Sequence, residues 1–193
     1  MTRALDILIA SAILALASPL LLVAAVAIRL ESRGPVIYRH ARVGRHGEPF
    51  ELFKLRTMVP GAERMGAGLY IEDRDPRITR TGRLLRRFSL DELPNLVNVL
   101  KGDLAIVGPR PTVREQVDRY TPRQRRRLEV RPGITGWAQV NGRAALPWPE
   151  RIELDVWYVE NRSLALDARI LARTAGVLLR RDFVYRGEAG GWR

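Results

Sequence analysis

The stretch that organises the chain spans residues 86–103 and reads RRFSLDELPNLVNVLKGD. Its apolar residues recur at the spacing of one helical face, at Leu93, Leu96, Val97 and Leu100. Pro94 suits the first turn of this helix, because a proline has no N–H to leave unpaired, and Gly102 suits its C-cap. The pattern therefore predicts a short amphipathic helix with two adjacent carboxylates, Asp91 and Glu92, at its N-terminal end.

Two interpretations of Asp91 and Glu92 are open at this point. Free backbone N–H groups and the positive end of the helix dipole meet at a helix N-terminus, so this place can receive a phosphate. The carboxylates could bring a metal ion or a nucleophile to it. However, Ser89 and Glu92 also have the spacing of a capping box, and Asp91 is an ordinary N-cap residue. These residues alone suit both a catalytic pair and a helix cap.

The composition narrows the chemistry that the chain can perform. The 193 residues carry a formal net charge of +12 and include no cysteine. The positive charge indicates phosphate-rich partners, such as nucleic acid, a nucleotide or an anionic membrane surface. Without cysteine there is no disulfide, zinc-thiolate site or thiol nucleophile, and the two histidines have no partner at ligand spacing. Carboxylate, hydroxyl and lysine remain as candidate nucleophiles.

The first segment predicts a membrane association. Residues 7–28 carry no charge, a length of about 33 Å as a helix. Arginines flank both ends, at Arg3, Arg29 and Arg33, so the positive-inside rule gives no crossing direction. Ser18 and Pro19 lie in the middle, where a proline favours a bend. We expect a re-entrant segment that breaks at Ser18-Pro19 and returns to the cytoplasmic side; a helix that spans the membrane is the alternative.

The rest of the sequence predicts an α+β fold that is mostly helical, with short strands. One strand is expected within residues 50–56, and a basic amphipathic helix at 81–87 suits a position on the membrane surface. The predicted organisation is a re-entrant membrane helix over 1–33, a globular cytoplasmic catalytic domain at the membrane interface over 34–182, and a mobile tail over 183–193.

Basic residues occupy positions that suit a diphosphate. Lys54 and Arg56 are two residues apart on a predicted strand, so they share one face; a solvated sheet face is the alternative. Arg110 lies between two prolines that stiffen a turn after a short buried strand. Arg143 follows a glycine-rich stretch in which the backbone can approach a ligand closely.

Seven motifs occur in a fixed order along the chain. They are 53-FKLRTM-58, 89-SLDELP-94, 98-NVLKGD-103, 107-VGPRP-111, 131-RPGITGW-137, 139-QVNGR-143 and 153-ELDV-156. Each is weak alone, but their joint occurrence in this order is highly specific. The chain resembles the monotopic phosphoglycosyl transferases, from the Ser18-Pro19 segment to about residue 181. The resemblance favours the catalytic interpretation of Asp91 and Glu92 over the capping one.

The resemblance implies a reaction and roles for individual residues. A nucleoside diphosphate sugar, usually a UDP-sugar, would donate a sugar-1-phosphate to polyprenyl phosphate, giving polyprenyl-diphospho-sugar and UMP. Asp91 would attack the sugar-bearing phosphorus, and Glu92 would help to bind Mg²⁺. The lipid phosphate would then resolve the covalent aspartyl phosphosugar intermediate. The implied substrate-binding candidates are Lys54, Arg56, Arg87, Arg110, Arg143, Asp155 and Asp167. For Asp155 and Asp167 a structural ion pair is an equal alternative.

The resemblance also implies a location and partners. The expected place is the bacterial inner membrane, with the catalytic domain on the cytoplasmic face and anionic lipids around it. A homodimer is compatible with a partly embedded, amphipathic protein. Two other classes of function remain as alternatives: a membrane-anchored nucleic-acid binder, against which the scattered arginines argue, and a non-catalytic membrane scaffold. We expect no nucleic-acid partner.

Overall fold

The structure is a computed structural model of the whole chain, and it describes residues 1–65, 75–142 and 146–180. In chain order the helices and strands are α1 (Arg3–Glu31), β1 (Ile37–Val43), β2 (Pro49–Leu55), α2 (Arg80–Arg87), α3 (Asn95–Lys101), β3 (Ala105–Val107), α4 (Arg114–Val117), α5 (Pro122–Arg125), β4 (Gly133–Thr135), α6 (Trp137–Val140), α7 (Trp148–Glu160) and α8 (Leu164–Arg180). This confirms the predicted α+β fold, mostly helical with short strands. Arg143 and the predicted tail at 183–193 lie outside the described residues.

Helix α1 continues through the position where a break was predicted. It forms one helix of 29 residues, with Pro19 inside it, and is long and apolar enough to cross a membrane. Pro19 offers no N–H to the carbonyl of Ala15, four residues earlier. The hydroxyl of Ser18 donates a hydrogen bond to that same carbonyl at 2.8 Å. The helix is not interrupted, because a side-chain donor replaces the backbone donor that the proline lacks.

Both ends of α1 are attached to the same globular domain. In its first turns the carboxylate of Asp6 accepts a hydrogen bond at 3.0 Å from the N–H of Ile106 in β3. At its last residue the carboxylate of Glu31 accepts bonds at 2.6 and 2.8 Å from the first two N–H groups of α2. Apolar side chains between these anchors are exposed, and Leu16 is 83% exposed. The middle of α1 therefore offers an apolar surface that the domain does not cover.

Three apolar clusters hold the domain together. The largest joins α1, β2, α3, β3, α7 and α8, through Ala10, Leu52, Leu96, Val99, Leu104, Ile106, Val107, Tyr158, Leu166 and Ile170. A second packs β1 against α4 and α7, through Val43, Val117, Tyr120, Trp148, Ile152 and Val156. A third attaches the C-terminal end of α1 to β2 and α2, through Ala24, Ile28, Leu55 and Leu85. Helix α1 and the globular domain thus share two of the three clusters.

Two small sheets carry the segments around the carboxylate pair. Strands β1 and β2 are antiparallel, with Tyr38 opposite Lys54, and β3 pairs with β4 in parallel. The glycines predicted to admit a ligand serve this second pairing instead. A Cβ atom on Gly133 or Gly136 would lie 2.1 Å from a backbone atom of Gly108. Gly133 and Gly136 therefore allow their backbone to lie in close contact with that of Gly108. This contact is just before the turn that carries Arg110.

Candidate active site

The carboxylate pair lies in a turn before α3 and does not cap it. Residues Leu90–Glu92 form a single 3₁₀ turn, and α3 begins only at Asn95. Ser89 has left-handed backbone angles (φ 54°, ψ 24°), which are uncommon for a residue other than glycine. Its side chain caps neither this turn nor α3, so the capping-box interpretation is wrong. The pair lies at the N-terminal end of α3, as predicted, but Pro94, which was expected in the first turn, is the residue directly before the helix.

Glu92 is held by two cations from distant parts of the chain. Its Oε1 accepts hydrogen bonds from Lys54 Nζ at 2.7 Å and from Arg110 at 2.9 Å. The Glu92 side chain is 23% exposed, so the cluster is partly open to solvent. Burial alone would raise the pKa of Glu92, but the charges of Arg110 and Lys54 outweigh it and hold that pKa well below its ordinary value. Glu92 is therefore a carboxylate at neutral pH.

Asp91 has the opposite electrostatic environment. Burial and the adjacent charge of Glu92 raise its pKa, while Lys54 and Arg86 oppose the rise. Two neighbouring carboxyl groups whose pKa values are driven apart are typical of sites in which they do different work. The ionised form of Asp91 is a competent acceptor of a phosphoryl group, with cations nearby to favour that form.

The arginine whose charge acts on Asp91 is Arg86, whereas Arg87 was predicted as a ligand of the substrate. The Arg86 Nε donates a hydrogen bond to the hydroxyl of Thr57 at 2.8 Å, and its charge reaches Asp91. Arg87 is exposed and stacks on the ring of Phe88 at 5.7 Å. The helical spacing of α2 indicates Arg86, because residues four positions apart lie on the same face of a helix. Gly82 is buried, and Arg86 is four positions after it.

Arg56 also serves a different part of the molecule. Its guanidinium donates hydrogen bonds to the carbonyl oxygens of Ser32 and Arg33 at 2.7 and 2.8 Å, and Arg56 is 7% exposed. Arg56 therefore fixes the segment that follows α1, while Lys54 contacts Glu92.

Asp155 and Asp167 are engaged in buried contacts. Asp155 accepts a hydrogen bond at 2.6 Å from Arg127, which also donates at 2.8 Å to the backbone carbonyl of Arg110. Burial raises the pKa of Asp155 to about 6 against the opposing charge of Arg127. Asp167 accepts a hydrogen bond at 2.7 Å from the hydroxyl of Tyr158. The ion pair with Asp155 braces the backbone at Arg110, and Asp167 supports the packing of α7 on α8.

Strand β1 contributes residues that the sequence interpretation missed. Tyr38, His40 and Arg42 alternate along β1 and share the face on which Lys54 lies. Arg42 contacts His40 Nδ1 at 3.2 Å, and burial together with the charge of Arg110 lowers the pKa of Arg42 to about 10. His40 is half-buried in the strand. The polar residues at every second position of β1, Tyr38, His40 and Arg42, were the available signal, although Arg39 interrupts a strict alternation.

The donor set suits a metal that arrives together with a phosphate ligand. Among the described residues, no group of three histidine, aspartate or glutamate side chains could hold a metal ion. Mg²⁺ is commonly held by one or two carboxylates together with substrate phosphates and water. Asp91 and Glu92 supply that number of carboxylates, and Glu92 remains ionised. The residues therefore fit Mg²⁺ in a complex with a diphosphate.

Comparison with known proteins identifies the class of enzyme to which this fold and this site belong. The family model described as "Bacterial sugar transferase" matches residues 1–181. The chain belongs to this family, and the predicted resemblance is confirmed.

Individual relatives agree with the family. The chain is 48% identical to the "Uncharacterized sugar transferase EpsL" of Bacillus subtilis, covering 92% of this chain and 86% of that protein. It is 44% identical to the "UDP-glucose:undecaprenyl-phosphate glucose-1-phosphate transferase" of Caulobacter vibrioides, covering 95% and 71%. It is 42% identical to the "Undecaprenyl-phosphate galactose phosphotransferase" of Salmonella typhimurium, covering 95% of this chain but only 41% of that protein. The chain spans less than half the length of this last relative.

Replacing Asp155 by asparagine should destabilise the fold, because the buried charge of Arg127 would lose its partner. Breaking a buried pair costs about 3–5 kcal/mol. Chemical denaturation in detergent measures the loss. On the same helix, Glu153→Gln removes an exposed contact with Arg123 and serves as the matched control, with an expected change below about 1 kcal/mol. Equal stability of the two variants would contradict the bracing role of Asp155.

Proposed function

We propose that the protein transfers a sugar-1-phosphate from a UDP-sugar to a polyprenyl phosphate of the undecaprenyl type, the first membrane step in assembling a polysaccharide or related glycoconjugate. The observation that carries the proposal is the Asp91–Glu92 pair, which is free of any capping duty and faces Lys54 and Arg110. Cations gathered around ionised carboxylates suit phosphoryl transfer, which depends on positioning and charge neutralisation more than on proton transfer. The names of the relatives support both substrate classes.

The proposed reaction has two displacement steps at one phosphorus atom. The carboxylate of Asp91 attacks the sugar-bearing phosphorus, an Asp91–phosphorus bond forms, and the bond to the bridging oxygen breaks. UMP leaves with that oxygen. A phosphate oxygen of the lipid then attacks the same phosphorus and releases the carboxylate of Asp91. Proton transfer is not required, because both nucleophiles are anions.

The basic residues would neutralise the charge that these steps move. Lys54 and Arg110 are held at Glu92, so they lie beside the place where the diphosphate must enter. The charge of Arg86, like that of Lys54, favours the ionised form of Asp91. Glu92 would hold Mg²⁺ together with the substrate phosphates, and the ion would further neutralise charge on the phosphoryl oxygens. Arg143, the remaining predicted ligand, lies outside the described residues and stays a prediction.

The attachment of α1 supports the expectation that both of its ends lie at the cytoplasmic face of the inner membrane, although the helix continues through Pro19. A helix that crosses the membrane has its ends on opposite sides, but Asp6 and Glu31 both bond to the same domain. The exposed apolar middle of α1 would enter the bilayer from that side. Helix α2 adds exposed Leu84 and Phe88 beside its arginines, as expected for a helix on a membrane surface. This arrangement brings a lipid phosphate and a water-soluble nucleotide sugar to one site.

The reaction can be tested by UMP release from purified, detergent-solubilised protein with Mg²⁺, undecaprenyl phosphate and a panel of UDP-sugars. Asp91→Asn should reduce release by roughly three orders of magnitude or more, since the nucleophile is lost. Asp118→Asn, at an exposed position, is the matched control and should retain full activity. Undiminished release by Asp91→Asn would remove Asp91 from the mechanism.

The acid limb of the pH–rate profile should report the ionisation of Asp91. Arg86 lowers the pKa of Asp91, so Arg86→Gln should raise it and move the acid limb to higher pH. Arg87→Gln removes an equal charge at the exposed neighbouring position and should leave the limb in place. A shift of equal size in both variants would indicate that Arg86 has no specific effect on Asp91.

Single cysteines test the topology without background, because the chain has none. A membrane-impermeant maleimide applied from the periplasmic side should label neither Thr2→Cys nor Arg33→Cys, both of which replace exposed residues. Both should react once the inner membrane is permeabilised. Labelling of one of the two in intact cells would show that α1 crosses the membrane.

A further inference from the structure

The amide of Asn98, close to the carboxylate pair, makes three hydrogen bonds. Asn98 lies in α3 and is 0% exposed. Its Oδ1 accepts a hydrogen bond from the N–H of Phe53 at 3.0 Å, and its Nδ2 donates to the carbonyl of Glu51 at 2.7 Å. Nδ2 also donates to Asp103 at 3.0 Å. The amide therefore bonds to two backbone groups of β2 and one side chain.

These contacts make the amide of Asn98 a substitute for a third strand. In an antiparallel pair the N–H and C=O groups of alternate residues point to the same side of the strand. Those of Glu51 and Phe53 bond to Asn98, on the side of β2 away from β1. Among the described residues, β1 is the only strand paired with β2. A side-chain amide offers one acceptor and donors in fixed geometry, so it can pair with the free edge where an apolar residue could not.

The position of this bridge bears on the carboxylate pair. Lys54 directly follows Phe53 in β2, and the turn that carries Glu92 leads directly into α3. The hydrogen bonds of Asn98 therefore fix the position of β2 relative to the turn before α3. Lys54 on β2 and Glu92 in that turn form a hydrogen bond of 2.7 Å. The main core cluster packs β2 on α3. Apolar contacts alone would let the strand shift along the helix, whereas directed hydrogen bonds fix its position.

We infer that Asn98 is a positioning residue that holds Lys54 at Glu92 by pairing its side-chain amide with the free edge of β2. Its contribution to catalysis rests on the proposed function, whereas its effect on Lys54 does not. An aspartate at this position would have nearly the same shape and could still accept from Phe53. It would lose both donors and would bring a second carboxylate against Asp103 and the carbonyl of Glu51.

The matched pair of variants is Asn98→Asp and Asp103→Asn. Both alter the hydrogen bond between Asn98 and Asp103, but only the first breaks the bridge to β2. Melting temperatures of the full-length proteins in detergent give the range in which each variant remains folded. All comparisons are made well below the lower melting temperature.

The direct readout is the reactivity of Lys54 toward an amine-specific acylating reagent, measured by peptide mass spectrometry. Lys54 and Lys101 are the two lysines of the chain, and Lys101 pairs with Asp103, so the labelling of Lys54 in each variant is compared with that of Lys54 in the same protein after denaturation. Asn98→Asp should raise the labelling of Lys54 in the folded protein several-fold, because Lys54 is released from Glu92. Asp103→Asn should leave the labelling of Lys54 at its wild-type level. Unchanged labelling in folded Asn98→Asp would overturn the inference, whatever the activity.

Turnover then connects the position of Lys54 to the reaction. Asn98→Asp should lower kcat by about 10- to 100-fold, the usual effect of a displacement of about 1 Å in an active site. In a Lys54→Met background the same change should cost less than about threefold, because the two residues act through one contact. Independent, multiplicative losses would overturn the positioning role. If the wild type released no UMP while labelling of Lys54 still changed, the proposed function would fail and the positioning of Lys54 would stand.

Discussion

The site depends on one carboxylate oxygen, Glu92 Oε1, which accepts hydrogen bonds from both Lys54 and Arg110. These three residues come from β2, from the turn before α3 and from the turn after β3. Charges that are partly removed from water are stable only when they are well paired, so the three segments must be held in register. The neighbouring structure provides this register. Arg127 fixes the backbone at Arg110, and Asn98 fixes β2 against α3.

Helix α1 is bonded to the same segments of the domain. The carboxylate of Asp6 accepts a hydrogen bond from the N–H of Ile106 in β3, which lies four residues before Arg110. Glu31 caps the N-terminus of α2, the helix that carries Arg86. Each end of α1 is therefore bonded to an element that leads into the site. If α1 enters the membrane as proposed, the positions of the basic residues are coupled in this way to the depth of entry, which suits an enzyme whose two substrates come from different phases.

Sequence reasoning succeeded where a local pattern is tied to a local environment. The carboxylate pair, Lys54 and Arg110 follow from motif order and turn stiffness, and the structure brings all of them together. It did not single out Arg86, whose charge acts on Asp91. Arg86 and Arg87 are neighbours with equal charge, and only the packing of Gly82 shows that Arg86 lies on the face of α2 that packs inward.

Long-range contacts explain the other differences. Arg56 bonds to backbone carbonyls 23 and 24 residues earlier, a contact that strand alternation cannot predict. Helix α1 continues through Pro19, and the hydroxyl of Ser18 bonds to the carbonyl that Pro19 leaves unpaired. A proline alone predicts a break, and the sequence does not show that its neighbour can satisfy this carbonyl.

The central claim is that Asp91 forms a covalent bond to the phosphosugar. The most direct measurement is mass spectrometry of the full chain after incubation with Mg²⁺ and its UDP-sugar, without lipid acceptor, followed by peptide mapping after a rapid acid quench. The account predicts an added sugar phosphate on the peptide that contains Asp91, lost when polyprenyl phosphate is supplied and absent in Asp91→Asn. UMP formation with lipid acceptor present, but no adduct at Asp91 on the shortest time that a quench can reach, would indicate direct transfer between the substrates and contradict the account.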